Sequence, residues 1–339
     1  MSPNFFSSDE FLEATAEARF PGREHRIGSF EVGPRSYRLL SVAGEVKRSL
    51  PYADFFEPIE LAKPPALASL RSFDSAASGP VRNSGGRPEL MERVRHLPRA
   101  SWRRCRGNLE AFPPERQLAP FVEWSRFPRW SDYEDFLRER SHGLSSLVRR
   151  NRRALAHGHG EIRFEVRCED PVILDRCLTL KSKQYRRTLL PDLLSSPANR
   201  RLFHLLLARR ALWVSVLWAG ARPAAIHAGA LYDRRFYYWV PVYDPELASA
   251  SPGRLLLLEL LEWSHRSGHT ELDLLAGNEP YKLVYATGAR VVEPDGTKPL
   301  AERLWHSTRA RLIPRIRDHP GLYSALQSGK RWFLTQASR

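Results

Sequence analysis

Cysteine and methionine are scarce in this chain, three and two in 339 residues. Cys105, Cys168 and Cys177 form no Cys-x-x-Cys pair and leave an odd count, which argues against a disulfide framework or zinc-finger spacing and fits a reducing compartment. Long apolar runs are missing too. Glu259 and Glu262 interrupt the Leu-rich stretch, and the run from Ala211 to Ala219 falls short of the roughly 18 uncharged residues a membrane helix needs. The N-terminus, MSPNFFSSDEFLEATAEARF, is acidic by Asp9 and lacks the basic-then-apolar order of an export signal. There is no G-x-S-x-G elbow, Walker motif, H-E-x-x-H or strand-borne G-x-G-x-x-G, so hydrolase, ATPase, zinc-protease and dinucleotide readings lose their local chemistry. The expectation is a cytoplasmic protein, with peripheral contact at the inner face of the membrane as a variant.

What the chain has in excess is positive charge. A formal +15 suggests an acidic partner: a CoA pyrophosphate, a nucleotide sugar, tRNA or anionic lipid. Only seven of the 53 basic residues are lysine, a bias that genome composition can produce, so it is discounted as nucleic-acid evidence. Arg149, Arg150, Arg152 and Arg153 form a dense cluster at an expected helix end, where cations are welcome, but without the interleaved aromatics of a strand-binding platform. The HGHG stretch, with His157 and His159, reads as a loop ending that helix rather than a metal site. The length suggests two domains. We expect an N-terminal lobe over 1–130, a second domain over 131–298 and a basic helical tail over 299–339. Ser72 to Pro88 reads as a loop. A tail helix over Pro299 to Ile313 would place Leu300, Leu304, Trp305 and Leu312 on one side, for packing on its own protein or for docking at a membrane or partner.

The densest information lies between Leu212 and Gly288. Three strand-like segments, LWVSVLWAG, AAIHAGALYD and RRFYYWVPVYD, are joined by tight turns and rich in β-branched and aromatic residues. Ser251-Pro252-Gly253-Arg254 then opens an apolar helix. Proline in a first turn gives up an N–H that has no intrahelical partner, and the remaining amides suit an anion; an ordinary capped helix is the plainer reading. ELDLLAG reads as a strand carrying Asp273, followed by a turn into Tyr281-Lys282. Upstream, a strand at Glu161 to Val166 and helices at Pro171 to Arg187 and Pro197 to Arg210 complete the pattern.

The ordered array W…AxxHxGxL…YYWVPVYD…SPGxLLL…DLLAGxxPYK resembles the GNAT-like acyltransferases of the CelD/BioF2-like type, associated with cellulose or exopolysaccharide biosynthesis. Asp132 to Leu155, read as one helix with an Arg-rich end, and CLTLKSKQYRRTLLPD extend the resemblance. SLPYADFFEPIEL, Ser49 to Leu61, is similar to a segment of the Fem-type aminoacyltransferases. The resemblance implies an α/β (α+β) protein with a GNAT-like acyl-CoA N-acyltransferase fold, as two tandem lobes each with a mixed, largely antiparallel sheet. The cofactor would lie where two strands splay, at the helix start near Gly253. No internal repeat is visible.

Acyl transfer to an amine needs a neutral nucleophile, a polarised carbonyl and a route for the proton. His227 is the candidate base, the alternative being a histidine satisfied within the sheet. Asp244 would orient an amine or simply make a turn. Asp273 must find a partner near its strand end. Lys282 would meet a phosphate or a developing oxyanion, and the resemblance gives Tyr281 the leaving thiolate. Ser251, Pro252, Gly253, Arg254 and Leu255 are the candidate CoA loop. Lys181, Tyr185 and Arg186 lie at i, i+4 and i+5 on one helix and would hold an anionic acceptor, or form a solvated basic face. The expected activity is N-acyl transfer from acetyl-CoA or another acyl-CoA to an amine of a sugar, sugar nucleotide or small metabolite, without a metal. The alternatives are an aminoacyl-tRNA-dependent enzyme and a non-catalytic subunit of a polysaccharide-synthesis complex.

Overall fold

The computed structural model describes residues 5–32, 35–46, 117–141, 143–188, 192–277 and 279–292. The Fem-like segment, the Ser72 to Pro88 loop and the basic tail lie outside the described residues.

Seven strands form the central sheet: β4 (Gln117–Glu123), β5 (Ile162–Glu165), β6 (Trp213–Ala219), β7 (Arg222–Tyr232), β8 (Arg235–Tyr243), β9 (Glu271–Asp273) and β10 (Gly288–Val292), in the order β10-β4-β9-β8-β7-β6-β5. Neighbours are antiparallel except β8 and β9, which run parallel. This is the mixed, largely antiparallel sheet expected. β4 precedes residue 130, so the central sheet draws on chain from before the expected domain boundary. A smaller antiparallel sheet joins β1 (His25–Val32), β2 (Arg35–Val42) and β3 (Glu45–Val46).

Helices cover both faces. On one side lie α1 (Asp9–Arg19), α4 (Pro171–Arg187) and α5 (Pro197–Ala208), whose Phe11, Leu174 and Phe203 join Val216, Ile226 and Trp239 of the sheet in one core. On the other lie α2 (Trp130–Arg140), α3 (Leu144–His159) and α6 (Pro252–Arg266), whose Tyr133, Leu155 and Leu256 join Leu217, Ala225 and Phe236. Successive strand residues point to opposite faces, so Val216 and Leu217 enter different cores. A sheet buried on both sides needs near-continuous apolar strands, which is why β6 to β8 show little alternation. Phe5 and Phe6 belong to the first core, with Phe6 set edge-on to Trp239 at 5.0 Å.

Local capping explains the boundaries. Ser8 Oγ accepts the Phe11 N–H at 3.2 Å to start α1, and Asp170 accepts the Val172 N–H at 2.8 Å to start α4 behind Pro171. Two expectations need correction. The stretch from Asp132 to Leu155 is two helices, because the chain breaks at Gly143 with φ 84°. The His157-Gly158-His159 stretch is the last turn of α3 rather than a loop, and Gly160 ends it. No helix among the described residues is long and apolar enough to cross a membrane.

Candidate active site

The parallel pairing of β8 with β9 is short. Arg235, Phe236 and Tyr237 stand opposite Glu271, Leu272 and Asp273, and there β9 stops. The stop has a local cause: Asp273 Oδ1 accepts the Leu275 N–H at 2.8 Å while Leu275 turns at φ 56°. The chain then leans toward β4, with the Leu274 N–H on the Pro120 carbonyl. Tyr238 to Tyr243 keep β7 on one side and lose their strand partner on the other. The Asp244 N–H bonds to the Ala224 carbonyl across β7, so alternation turns the Tyr243 and Pro241 backbone groups toward the open edge.

A bulge sits beside this opening. Tyr238 and Trp239 of β8 oppose the single Gly229 of β7. The Trp239 N–H donates to His227 Nε2 at 3.1 Å, which puts the ring proton on Nδ1, a buried atom with no partner among the described residues. The imidazole stacks on Tyr238 at 4.6 Å and passes over Gly229, where an added Cβ would lie 2.3 Å from Cε1. Burial, assisted by the Lys181 charge, lowers the His227 pKa to about 3. With its lone pair engaged and its ring neutral, His227 is a donor and a strand anchor in this state, poorly suited to take a proton.

At the far end of β8 the chain makes a short 3-10 helix, Pro245–Ala250, and enters α6. Ser251 holds the left-handed conformation at φ 47° and offers its carbonyl to the Arg254 N–H at 3.0 Å. Pro252 occupies the first position and has no N–H, and the Leu255 N–H shares the Ser251 carbonyl at 3.3 Å, which leaves the Gly253 N–H as the first-turn amide without an acceptor among the described residues. An added Cβ at Gly253 would lie 3.3 Å from the Tyr243 ring, so this glycine seats the helix start against the end of the open edge. Asp244 braces the same corner. Its carboxylate accepts from Arg222 at 2.7 Å and Arg176 at 3.1 Å, and caps the Glu246 N–H. Burial works to raise its pKa, but the Arg222 and Glu246 N–H bonds outweigh that and hold it below the usual carboxylate range.

Between these ends lies a cluster of amines and phenols. Lys181 Nζ donates to the Pro241 carbonyl at 3.2 Å and sits 5.2 Å from the Tyr185 ring centre. Lys282, on α7 (Pro280–Tyr285), is buried and paired with Glu279 at 3.1 Å, close against Gly277. Burial, then the Lys282 charge, draws the Lys181 pKa down to about 8. Burial pushes the Tyr281 phenol upward, and Tyr185 to about 12. Arg186 is turned to a structural task, pairing with Asp192 at 3.6 Å beyond the end of α4.

Of the residues singled out in the sequence, the electrostatic contacts of Lys181 link it to His227 and Lys282, and Tyr185 and Tyr281 each feel the Glu279 charge. Asp273 stands at the apex of the opening and Asp244 with Ser251 to Leu255 at its other end. Gly229, Glu279, Arg176 and Arg222 were missed. A glycine two residues after a strand histidine was a legible signal for the first, and the i, i+3 spacing to Lys282 for the second. Among the described residues no group of His, Cys, Asp and Glu is arranged to hold a metal.

Comparison with known proteins matches residues 145–283 to the family model described as an acetyltransferase (GNAT) domain. Residues 145–283 therefore resemble a GNAT-type acetyltransferase domain. The matched residues run from the start of α3 through Lys282 on α7, and so include the bulge, the open edge and the α6 start. No curated protein matches. Among solved structures, a conserved protein of unknown function from Bacteroides thetaiotaomicron VPI-5482 is 13% identical with a TM-score of 0.36, and the match covers 62% of this chain and 66% of that one. The C-terminal domain of a protein named as a lysylphosphatidylglycerol synthetase, from Agrobacterium fabrum, is 13% identical with a TM-score of 0.38 and the same coverage of 62% and 66%. The chain thus spans just under two thirds of the length of either structure.

Proposed function

We propose that the protein is an acyltransferase that takes its acyl group from acyl-CoA, acetyl-CoA being the first donor to test, and transfers it to an amine of a sugar, a sugar nucleotide or a small metabolite in a ternary complex. The observation that supports this most is the open edge Tyr238 to Tyr243 running into the α6 start. An unpaired strand edge offers backbone groups to the amides of a pantetheine arm, and a helix N-terminus offers N–H groups to a diphosphate. In this reading the Gly253 N–H and the Arg254 side chain hold the diphosphate, and Ser251, Pro252 and Leu255 shape the turn. Lys282 faces the developing oxyanion. Tyr281, with its raised pKa, serves as a hydrogen-bond donor to the leaving sulfur and does not surrender its proton. His227 keeps the bulge in place, Asp273 keeps the strands apart, and Lys181 with Tyr185 lines the acceptor side.

The CelD/BioF2-like affiliation and a part in polysaccharide biosynthesis rest on the motif array. Cytoplasmic placement, with docking at the membrane's inner face, rests on cysteine usage and the basic tail. The division into lobes over 1–130 and 131–298 rests on length and the Fem-like segment. The deciding experiment is calorimetry of the purified protein with acetyl-CoA and octanoyl-CoA, with total aminoacyl-tRNA as competitor. Micromolar thioester binding that Gly253→Trp removes supports the reading. Salt-sensitive tRNA binding without thioester binding replaces it with a Fem-type donor, and binding of neither leaves a non-catalytic subunit.

A further inference from the structure

Lys181 is an unusual lysine for its position. It lies well inside α4, Nζ is on the Pro241 carbonyl at the open edge, and among the described residues no carboxylate forms an ion pair with it. Glu279, whose charge acts on it, is paired with Lys282. With a pKa drawn down to about 8, chiefly by burial, its free-amine fraction at neutral pH exceeds that of an ordinary lysine by about two orders of magnitude.

The groups around it do not compete as nucleophiles. Cys177, one turn earlier on α4, donates its thiol to the Val240 carbonyl at 3.6 Å and is pushed by burial to about 12. Tyr185, one turn later, is pushed to about 12 as well. From β7, His227 has its lone pair on the Trp239 N–H. From α7, the Lys282 ammonium is held by Glu279.

We propose that Lys181 is a self-acylation site: when an acyl thioester lies along the open edge of β8 with no acceptor bound, the Lys181 amine takes the acyl group. The inference rests on the acyl-CoA reading above. The Nζ lone pair attacks the thioester carbonyl carbon, a C–N bond forms and the C–S bond breaks. The departing thiolate takes up the proton that the nitrogen releases. The products are an Nε-acyl-lysine and free CoA thiol, with no oxidant, metal or further reagent. The amide carries no charge, and its acyl chain occupies the edge that the next donor needs, so turnover stops.

Wild-type protein is incubated with acetyl-CoA and, separately, octanoyl-CoA without acceptor, acyl-lysines are mapped by peptide mass spectrometry, and thioester binding is followed by calorimetry in parallel. Lys183, exposed on the same helix, reports spontaneous acylation. Lys181 is expected to be modified at least about tenfold faster than Lys183, at a rate that climbs with pH and levels off above about pH 8. Lys183→Arg should leave the adduct and Lys181→Arg should remove it; the wild-type map decides the matter if the latter variant does not fold. Thioester binding with Lys181 unmodified, or modified at the Lys183 rate, overturns self-acylation and leaves the donor reading standing. Absence of binding by either thioester removes the donor reading and this inference together.

Discussion

The backbone N–H of Trp239 donates to His227 Nε2 across the β7–β8 bulge, and the imidazole that accepts it can lie there because Gly229 has no side chain. A bulge leaves a backbone donor out of the ladder, and a buried donor without a partner costs roughly 1–3 kcal/mol. The His-x-Gly pair answers that need from within one strand, since residues two apart share a face. The motif is therefore legible as a structural device of the sheet.

Gly229→Ala should destabilise the fold by about 1–3 kcal/mol, because the added carbon meets the Tyr237 carbonyl at 2.3 Å, backbone that cannot step aside. Gly158→Ala, within α3 and with nothing inside 4 Å, should be neutral or stabilise by up to about 1 kcal/mol. Urea unfolding of the two variants compares them directly. Equal stability would mean that the glycine is not needed at the bulge.

His227→Gln should flatten the acid side of the stability curve. The folded ring titrates at about 3, below its ordinary 6.5, because of burial, and His269 follows at about 4 for the same chief reason. The unfolded chain takes up protons first, so each ring's contribution is complete above its unfolded pKa and is lost as pH falls toward the folded one. The His227 share approaches about 1.4 kcal/mol per pH unit within that window. Unfolding free energies at about pH 7.5 and about pH 5 measure it. A glutamine variant that loses stability as steeply as wild type would refute the assignment.

Asp244→Ala should lower stability by about 1–2 kcal/mol, a figure reduced for the partial exposure of its arginine partners. It should also weaken acetyl-CoA binding, because the carboxylate ties α4, β7 and the turn before α6 to one corner. Thermal unfolding and calorimetry together test this. An unchanged melting temperature with unchanged affinity would show that the corner holds without it.

Lys282→Ala should reduce kcat by about tenfold to a hundredfold while changing acetyl-CoA affinity little. Gly277→Ala should act in the same direction, since its Cβ would fall 2.8 Å from Lys282 Nζ and 2.1 Å from Glu279 Oε2. Thiol release with an amine acceptor found by screening gives both numbers. A loss confined to affinity would assign Lys282 to donor binding.

Much of the central domain was readable because its signals are local. Pro171 behind Asp170 and Pro252 behind Ser251 announce α4 and α6, and the hairpins β6–β7–β8 fall where turns at Gly220 and Asp233 interrupt apolar runs. The break at Gly143 was missed because helical periodicity continues on both sides of it. The engagement of Asp244 with Arg176 and Arg222 was hidden by sequence separation, Arg176 and Asp244 being 68 positions apart. His227 reads as a base because its residue type titrates near neutrality; that its lone pair meets the Trp239 N–H was hidden, since one strand's sequence cannot say what its neighbour donates.

The early halt of β9 has a further meaning. A bare strand edge on a protein's rim invites other proteins to zip onto it. Here the bare edge lies in the middle of a sheet, with β4 and β9 beyond it and helices above and below. A slot walled in this way rejects a folded chain and admits a thin, flexible thread, so that guest shape is filtered before any side chain takes part.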